Sequence, residues 1–236
     1  MASLKHFFKD IKHDFLFYLS IYIIFLSLFY FYYASNVPIL YTPSLEYKDV
    51  SNSFQTFDIL YFTCFDVSSY IGKVFQQSVY THIGMIVNIQ NRIFLWESDN
   101  HKEYSRPAVD LLPIEIILND YPTNYYALKK IHIDSNLRHT STQKLYDFIK
   151  KNKGKQFKFD LPLFIQANYK LWLDSTPTST DEYFCSELIA DTYSYCGLMD
   201  SCLPSWSYIP ADFYYERIPL KKGIRWGDEI DFYYPK

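Results

Sequence analysis

Four side chains have types and spacing that could do chemistry together: Cys185, His82, Glu97 and Asp99. Cys185 lies in the stretch Tyr183-Phe184-Cys185-Ser186-Glu187-Leu188-Ile189-Ala190-Asp191-Thr192-Tyr193. Apolar or weakly polar residues at 184, 188, 189, 192 and 196 recur at helical spacing, so one stripe of a helix is expected to face a core. Ser179, Thr180, Asp181 and Glu182 supply capping and acidic side chains upstream, which places the cysteine almost at the helix start. A thiol there sits near unsatisfied N–H groups and the positive end of the helix dipole, and both favour thiolate. Taken alone, however, a cysteine on such a stripe reads first as a small buried apolar residue.

The other three come from a hairpin. Ile83 to Ile89 and Arg92 to Glu97 are apolar runs joined at Gln90-Asn91, so Ile89 is expected to pair with Arg92 and paired positions to sum to 181. Gly84 then faces Glu97, and His82 faces Asp99. Strand alternation puts all four on one side of the sheet. With no side chain on Gly84, Glu97 is free to lean diagonally toward His82 across about 7–8 Å of backbone. An imidazole with a carboxylate neighbour is what a thiol nucleophile needs, because the ring exchanges the thiol proton and the carboxylate orients the ring. His82 is the expected base, Glu97 the orienting group and Asp99 the reserve. A strand-end histidine bonded to nearby backbone is the competing reading of His82 by itself.

These groups need a scaffold. Strands are expected at Phe57 to Phe62, in the hairpin, at Tyr125 to Ile133 and at Glu229 to Tyr234. Helices are expected at Val67 to Gln77 and at Thr140 to Lys151, the second stopped by Asn152-Lys153-Gly154. Leu163 to Leu173 is ambiguous. Mixed strands and helices without repeats indicate an α+β domain.

Ahead of the domain, residues 1–14 form a polar tail with three lysines. Phe15 to Tyr33 then runs without a charge for about 28 Å of helix, close to the roughly 30 Å hydrocarbon thickness. The expectation is a transmembrane helix at 15–33, a linker at 34–53 and a catalytic domain at 54–236. The lysines place the N-terminus in the cytoplasm and the domain on the opposite side of a bilayer, as a single-pass membrane protein.

Composition removes several classes. A net charge of -3 without a Lys/Arg run argues against nucleic acid. The 6 glycines build no phosphate-cradling loop, and no G-x-S-x-G elbow occurs. Cysteines 64, 185, 196 and 202 lack zinc-site spacing, so neither metal nor cofactor is expected; a disulfide among Cys64, Cys196 and Cys202 stays open. The 24 tyrosines and 20 phenylalanines suit strands and aromatic-lined pockets.

The segments Ser78-Val79-Tyr80-Thr81-His82-Ile83-Gly84-Met85-Ile86-Val87, Phe94-Leu95-Trp96-Glu97-Ser98 and Tyr183-Phe184-Cys185-Ser186-Glu187-Leu188 occur in that order. Together they resemble the circularly permuted branch of the NlpC-type papain-like superfamily, in particular its YiiX-like amidase group, which has poxvirus members. Phe57-Asp58-Ile59-Leu60 resembles the opening Gly-Asp strand of that group with Phe in place of Gly, and Phe159-Asp160 resembles its Tyr-Asp element. The likeness spans about residues 55–216. The lecithin:retinol acyltransferase-like relatives share the permuted order, but their Asn-Cys-Glu-His-Phe-like motif is absent here.

What the resemblance implies is a permuted papain-like fold, with an antiparallel sheet packed on the nucleophile helix. It implies a thiol hydrolase of amidase or peptidase type with Cys185 as nucleophile, His82 as base and Glu97 as third member, acting on an amide or ester bond in a peptide, amide or lipid substrate. A lipid acyl hydrolase or acyltransferase, and a non-catalytic structural or binding protein that retains the fold, are the alternatives. Ser186 and Glu187 are expected to support the helix start.

Overall fold

The computed structural model describes residues 18–29, 43–63, 67–99, 108–158, 160–171, 181–200 and 203–236. The chain divides into two units, Met1–Tyr41 and Thr42–Lys236. In the first, helix α1 covers residues 18–29. The transmembrane helix expected at 15–33 is corrected: no helix among the described residues is long and apolar enough to cross a membrane. Single-pass membrane placement loses its basis with that helix. Residues 1–14, Cys64, Phe159, Ser179, Thr180 and Cys202 lie outside the described residues.

The second unit is α+β, built on a seven-stranded sheet in the order β1-β9-β6-β2-β3-β4-β5. Its strands are β1 (Leu45–Glu46), β2 (Ile59–Phe62), β3 (His82–Ile89), β4 (Arg92–Ser98), β5 (Val109–Pro113), β6 (Tyr125–His132) and β9 (Arg225–Tyr233). A two-stranded sheet joins β7 (Gln156–Phe157) to β8 (Glu182–Tyr183). The large sheet is mixed, which corrects the antiparallel expectation: β1 runs parallel to β9 while the other pairings are antiparallel. Within the stretch expected as linker, residues 45–53 form β1, helix α2 (Tyr47–Val50) and a 3-10 turn (Ser51–Ser53). Backbone pairing to β9 decides that, and apolar periodicity carries no trace of it.

The remaining helices are α3 (Val67–Gln76), α4 (Ile114–Asp120), α5 (Ser135–Asn152), α6 (Leu161–Tyr169), α7 (Cys185–Cys196) and α8 (Pro210–Tyr214). Asp134 caps α5 by accepting from the Asn136 N–H at 2.9 Å, and Asp160 caps α6 by accepting from Leu163 at 3.1 Å. Of the ambiguous stretch Leu163 to Leu173, residues 163–169 thereby fall in a capped helix. Gly197, at φ 77°, ends α7 in the left-handed conformation that glycine adopts most readily.

Strand alternation sorts the core into two layers. Ile59, Tyr61, Ile83, Met85 and Trp96 face one side, where α7 and α5 pack. Leu60, Phe62, Ile86 and Leu95 face the other, against Ile114, Ile117 and Leu118 of α4. Two polar bonds fasten α7 to its layer: Trp96 Nε1 donates to Thr192 Oγ1 at 3.1 Å, and Tyr193 Oη donates to the Phe57 carbonyl at 2.5 Å. Phe57 holds φ 81°, the left-handed region that favours glycine, which gives a backbone reason for glycine at the matching place in the resembled motif. Full burial of its ring and the 2.9 Å bond from its N–H to the Ile86 carbonyl hold that conformation in place.

The hairpin register is that of the sequence count, with Met85 opposite Trp96 and Ile89 opposite Arg92. A methyl group on Gly84 would lie 2.7 Å from Cγ of Leu95, so the glycine makes room for that leucine. Gly84→Ala is therefore expected to destabilise the fold by about 1–3 kcal/mol through overpacking, read as a lower urea midpoint with an unchanged m-value.

Candidate active site

His82 is the first residue of β3, and Phe62 of β2 is its Cα partner. Glu97 stands near the end of β4, and Cys185 is the first residue of α7. Strand parity puts His82 and Glu97 with the α4 layer, while Cys185 belongs to the α7 layer. They meet at the strand ends, where the two layers come together.

His82 Nε2 and Glu97 Oε2 are 2.8 Å apart; Glu97 is fully buried and His82 is 5% exposed. Cys185 lies near the same imidazole and is among the groups that raise its pKa. With Nε2 on the carboxylate, Nδ1 is the ring nitrogen left for sulfur. Burial acts to lower the His82 pKa, but Asp99, Cys185 and Glu97 outweigh it and hold the ring well above the ordinary histidine value.

Asp99 occupies a different place from Glu97. Its carboxylate accepts a hydrogen bond from the Tyr121 hydroxyl, and it acts on His82 through charge. Tyr121 also stacks on the imidazole, centroids 5.5 Å apart at 28°, while Phe62 meets the ring edge-on at 5.2 Å. These two aromatic walls were not legible in the sequence, because no local pattern ties Tyr121, just after α4, to a histidine almost forty residues earlier. The space above Gly84 is taken by Leu95, and Glu97 lies 2.8 Å from His82 across the hairpin. Glu97 reaches His82 directly.

The start of α7 is also organised differently from expectation. Its N-cap is Phe184, which offers no side-chain cap, and Glu182 and Tyr183 form β8 instead. Burial first, and then the neighbouring Asp191, push the Glu187 carboxyl from its ordinary 4.5 up to about 7. Ser186 Oγ donates to the Tyr208 carbonyl at 2.8 Å, and Ser98 Oγ donates to the Tyr183 carbonyl at 2.7 Å. The second bond joins the residue after Glu97 to the strand before Cys185.

Cys196, at the far end of α7, is a free buried thiol pushed up to about 12 by burial, which leaves it neutral and unreactive. Cys185 is likewise free. The other described histidines, His132 and His139, lie on β6 and α5, and His139 contacts Gln143 at 3.3 Å. Among the described residues no group of three or more His, Cys, Asp or Glu side chains could hold a metal ion.

No family model matches the chain. It is similar to an uncharacterized protein of Acanthamoeba polyphaga mimivirus, 21% identical over 230 residues that cover 85% of this chain and 90% of that protein. Among solved structures it is similar to the metalloprotein yiiX of Escherichia coli O157:H7, at 17% identity and a TM-score of 0.47, covering 77% of this chain and 99% of that one.

The raised pKa of His82 sets a sign for stability. The stabilisation it brings is fully present below the unfolded-state value near 6.5 and is lost as pH rises through the higher folded value. Asp99→Asn removes the largest of the raising influences, so the His82 midpoint, followed by imidazole NMR, is expected to fall relative to wild type. The decline of stability should move to lower pH with it. An unshifted midpoint would rule out charge coupling between Asp99 and the ring.

Proposed function

We propose that the chain is a cysteine hydrolase of the amidase or peptidase type, on a permuted papain-like plan. The observation that carries this reading is the buried 2.8 Å His82–Glu97 contact beside the thiol of the first residue of α7. A buried carboxylate fixes the imidazole, the imidazole meets the thiol, and the thiol sits where unpaired helix N–H groups converge.

In this mechanism the Cys185 proton passes to His82, and sulfur attacks the carbonyl carbon of an amide or ester. The oxyanion is held by the Cys185 backbone N–H at the positive end of α7. His82 then gives its proton to the leaving amine or alcohol as the carbon–heteroatom bond breaks, which leaves a thioester. Water, deprotonated by His82, hydrolyses the thioester and regenerates the thiol. Glu97 stays ionised, keeping the ring orientation and offsetting the imidazolium charge. Asp99 adds a second negative charge and positions Tyr121.

An iodoacetamide-type probe tests the reading. Wild type is expected to label at Cys185 in preference to Cys196, Cys185→Ala to lose that label, and His82→Ala to label at least about tenfold more slowly. On a panel of peptide amides and acyl esters, His82→Ala should lower kcat by about 10²–10⁴-fold. The panel also separates amide from lipid-ester specificity. Equal labelling of wild type, Cys185→Ala and His82→Ala, with no turnover on either panel, would leave a non-catalytic binding protein as the better description.

A further inference from the structure

Helix α2 with the 3-10 turn after it, the start of α4 and the β3–β4 turn line a groove of about 740 Å³ that the proposed mechanism does not use. It lies within the second unit, toward the other end of the hairpin from the candidate active site. Asn88 is six residues beyond His82 on β3, which is about 20 Å of strand. The groove has the volume of a small-molecule site. Its walls are tied by hydrogen bonds. Asn88 Nδ2 donates to the Phe54 carbonyl at 3.1 Å and Asn88 Oδ1 accepts from the Asn91 N–H at 3.1 Å, which joins the 3-10 turn to the hairpin tip. Tyr47 Oη donates to Glu115 Oε1 at 2.9 Å and joins α2 to α4. The Tyr47 ring is set edge-on against Phe54, centroids 5.9 Å apart at 75°. A groove held in this way needs little ordering when a ligand enters.

The chemistry of the lining selects the ligand. Its two charged residues, Arg92 and Glu115, are of opposite sign, so neither an anion nor a cation meets an uncompensated field. The other polar side chains are the amides of Asn52, Asn88 and Asn91 and the hydroxyl of Ser51. Each amide presents a donor and an acceptor side by side. Half-buried Ile93, Phe94 and Pro113 supply apolar surface between them. A neutral sugar ring answers each of these features. Its neighbouring hydroxyls donate and accept in pairs, which suits amide, guanidinium and carboxylate forks, and its C–H face lies against apolar side chains. A phosphate would instead meet the Glu115 charge, and an acyl chain would cover amides without offering them a partner.

We propose that this groove is a carbohydrate-binding site for a neutral saccharide, with exposed Asn52, Asn91 and Arg92 as hydrogen-bonding side chains and Ile93 and Pro113 as the apolar surface beneath the ring. Its distance from His82 makes it a recognition site, separate from any chemistry at Cys185. The proposal stands whether or not Cys185 is a nucleophile.

Titration of the full chain, followed by amide proton–nitrogen NMR, tests the site. Maltose and N,N′-diacetylchitobiose serve as the neutral probes, and inorganic phosphate and N-acetyl-dialanine amide as counter-probes. At least one disaccharide is expected to bind saturably with a Kd below about 10 mM, shifting the signals of Asn52, Asn88 and Asn91 and leaving those of Phe184 to Leu188 in place. Asn52→Ala and Arg92→Ala change exposed side chains, and each should weaken that binding at least about fivefold with the urea midpoint unchanged. If one of them does not fold, the other decides. The proposal is overturned by no saturable shift with either disaccharide, by equal affinity in wild type and the folded variants, or by tighter binding of phosphate or the dipeptide amide at the same residues. Alkylation of Cys185, measured on the same samples, tests the hydrolase reading separately and should proceed at the wild-type rate in both variants.

Discussion

A carboxylate with no exposure to solvent has to be matched inside the protein, and Glu97 is matched by His82. Burying an ionised acid without a partner costs several kcal/mol, so the pair exists as a unit or not at all. Much of the surrounding architecture serves that pair. The hairpin puts both residues at one end of β3 and β4. Tyr121 and Phe62 cover the ring and exclude water from it. Asp99 contributes a second negative charge without taking the ring nitrogen that Glu97 holds. The result is an imidazole whose pKa is held above the ordinary histidine value in an apolar setting, beside a thiol.

Helix α7 carries the other half of the site, and its attachments explain why the thiol arrives at the ring. Trp96 and Phe57 hold the middle of the helix to the sheet, Ser141 of α5 donates to the Cys196 carbonyl at its end, and Ser98 holds the strand before its start. These are directional bonds within apolar layers, where a missed partner leaves a polar group unsatisfied. They fix the helix along its axis as well as against the sheet, which apolar contact alone does poorly. The left-handed backbone at Phe57 belongs to the same design, since its carbonyl must turn toward Tyr193.

The α+β class, the hairpin with its register, the helices near 67–76 and 135–152, and the helix beginning at Cys185 were legible because each follows from short-range rules. Hydrophobic period, turn residues and caps act over a few positions and survive into the fold. The apolar run at 15–33 shows where such rules stop. A run counts residues without charge, whereas among the described residues no helix is long and apolar enough to cross a membrane. Strands β1 and β5 and helix α4 also escaped notice, being short elements, and β1 pairs with β9 at the other end of the domain's sequence.

By itself the sequence determined which groups could react: a thiol at a helix start, and an imidazole and two carboxylates at the end of a hairpin. Side-chain alternation and helix periodicity are properties of the local backbone, so spacing alone reveals them. Only the tertiary structure decided that Glu97 rather than Asp99 takes the ring nitrogen and that Leu95 fills the space over Gly84. Those outcomes depend on which atoms reach the same small volume once two core layers close. Sequence spacing carries no measure of that competition for space, hydrogen bonds and dry surroundings.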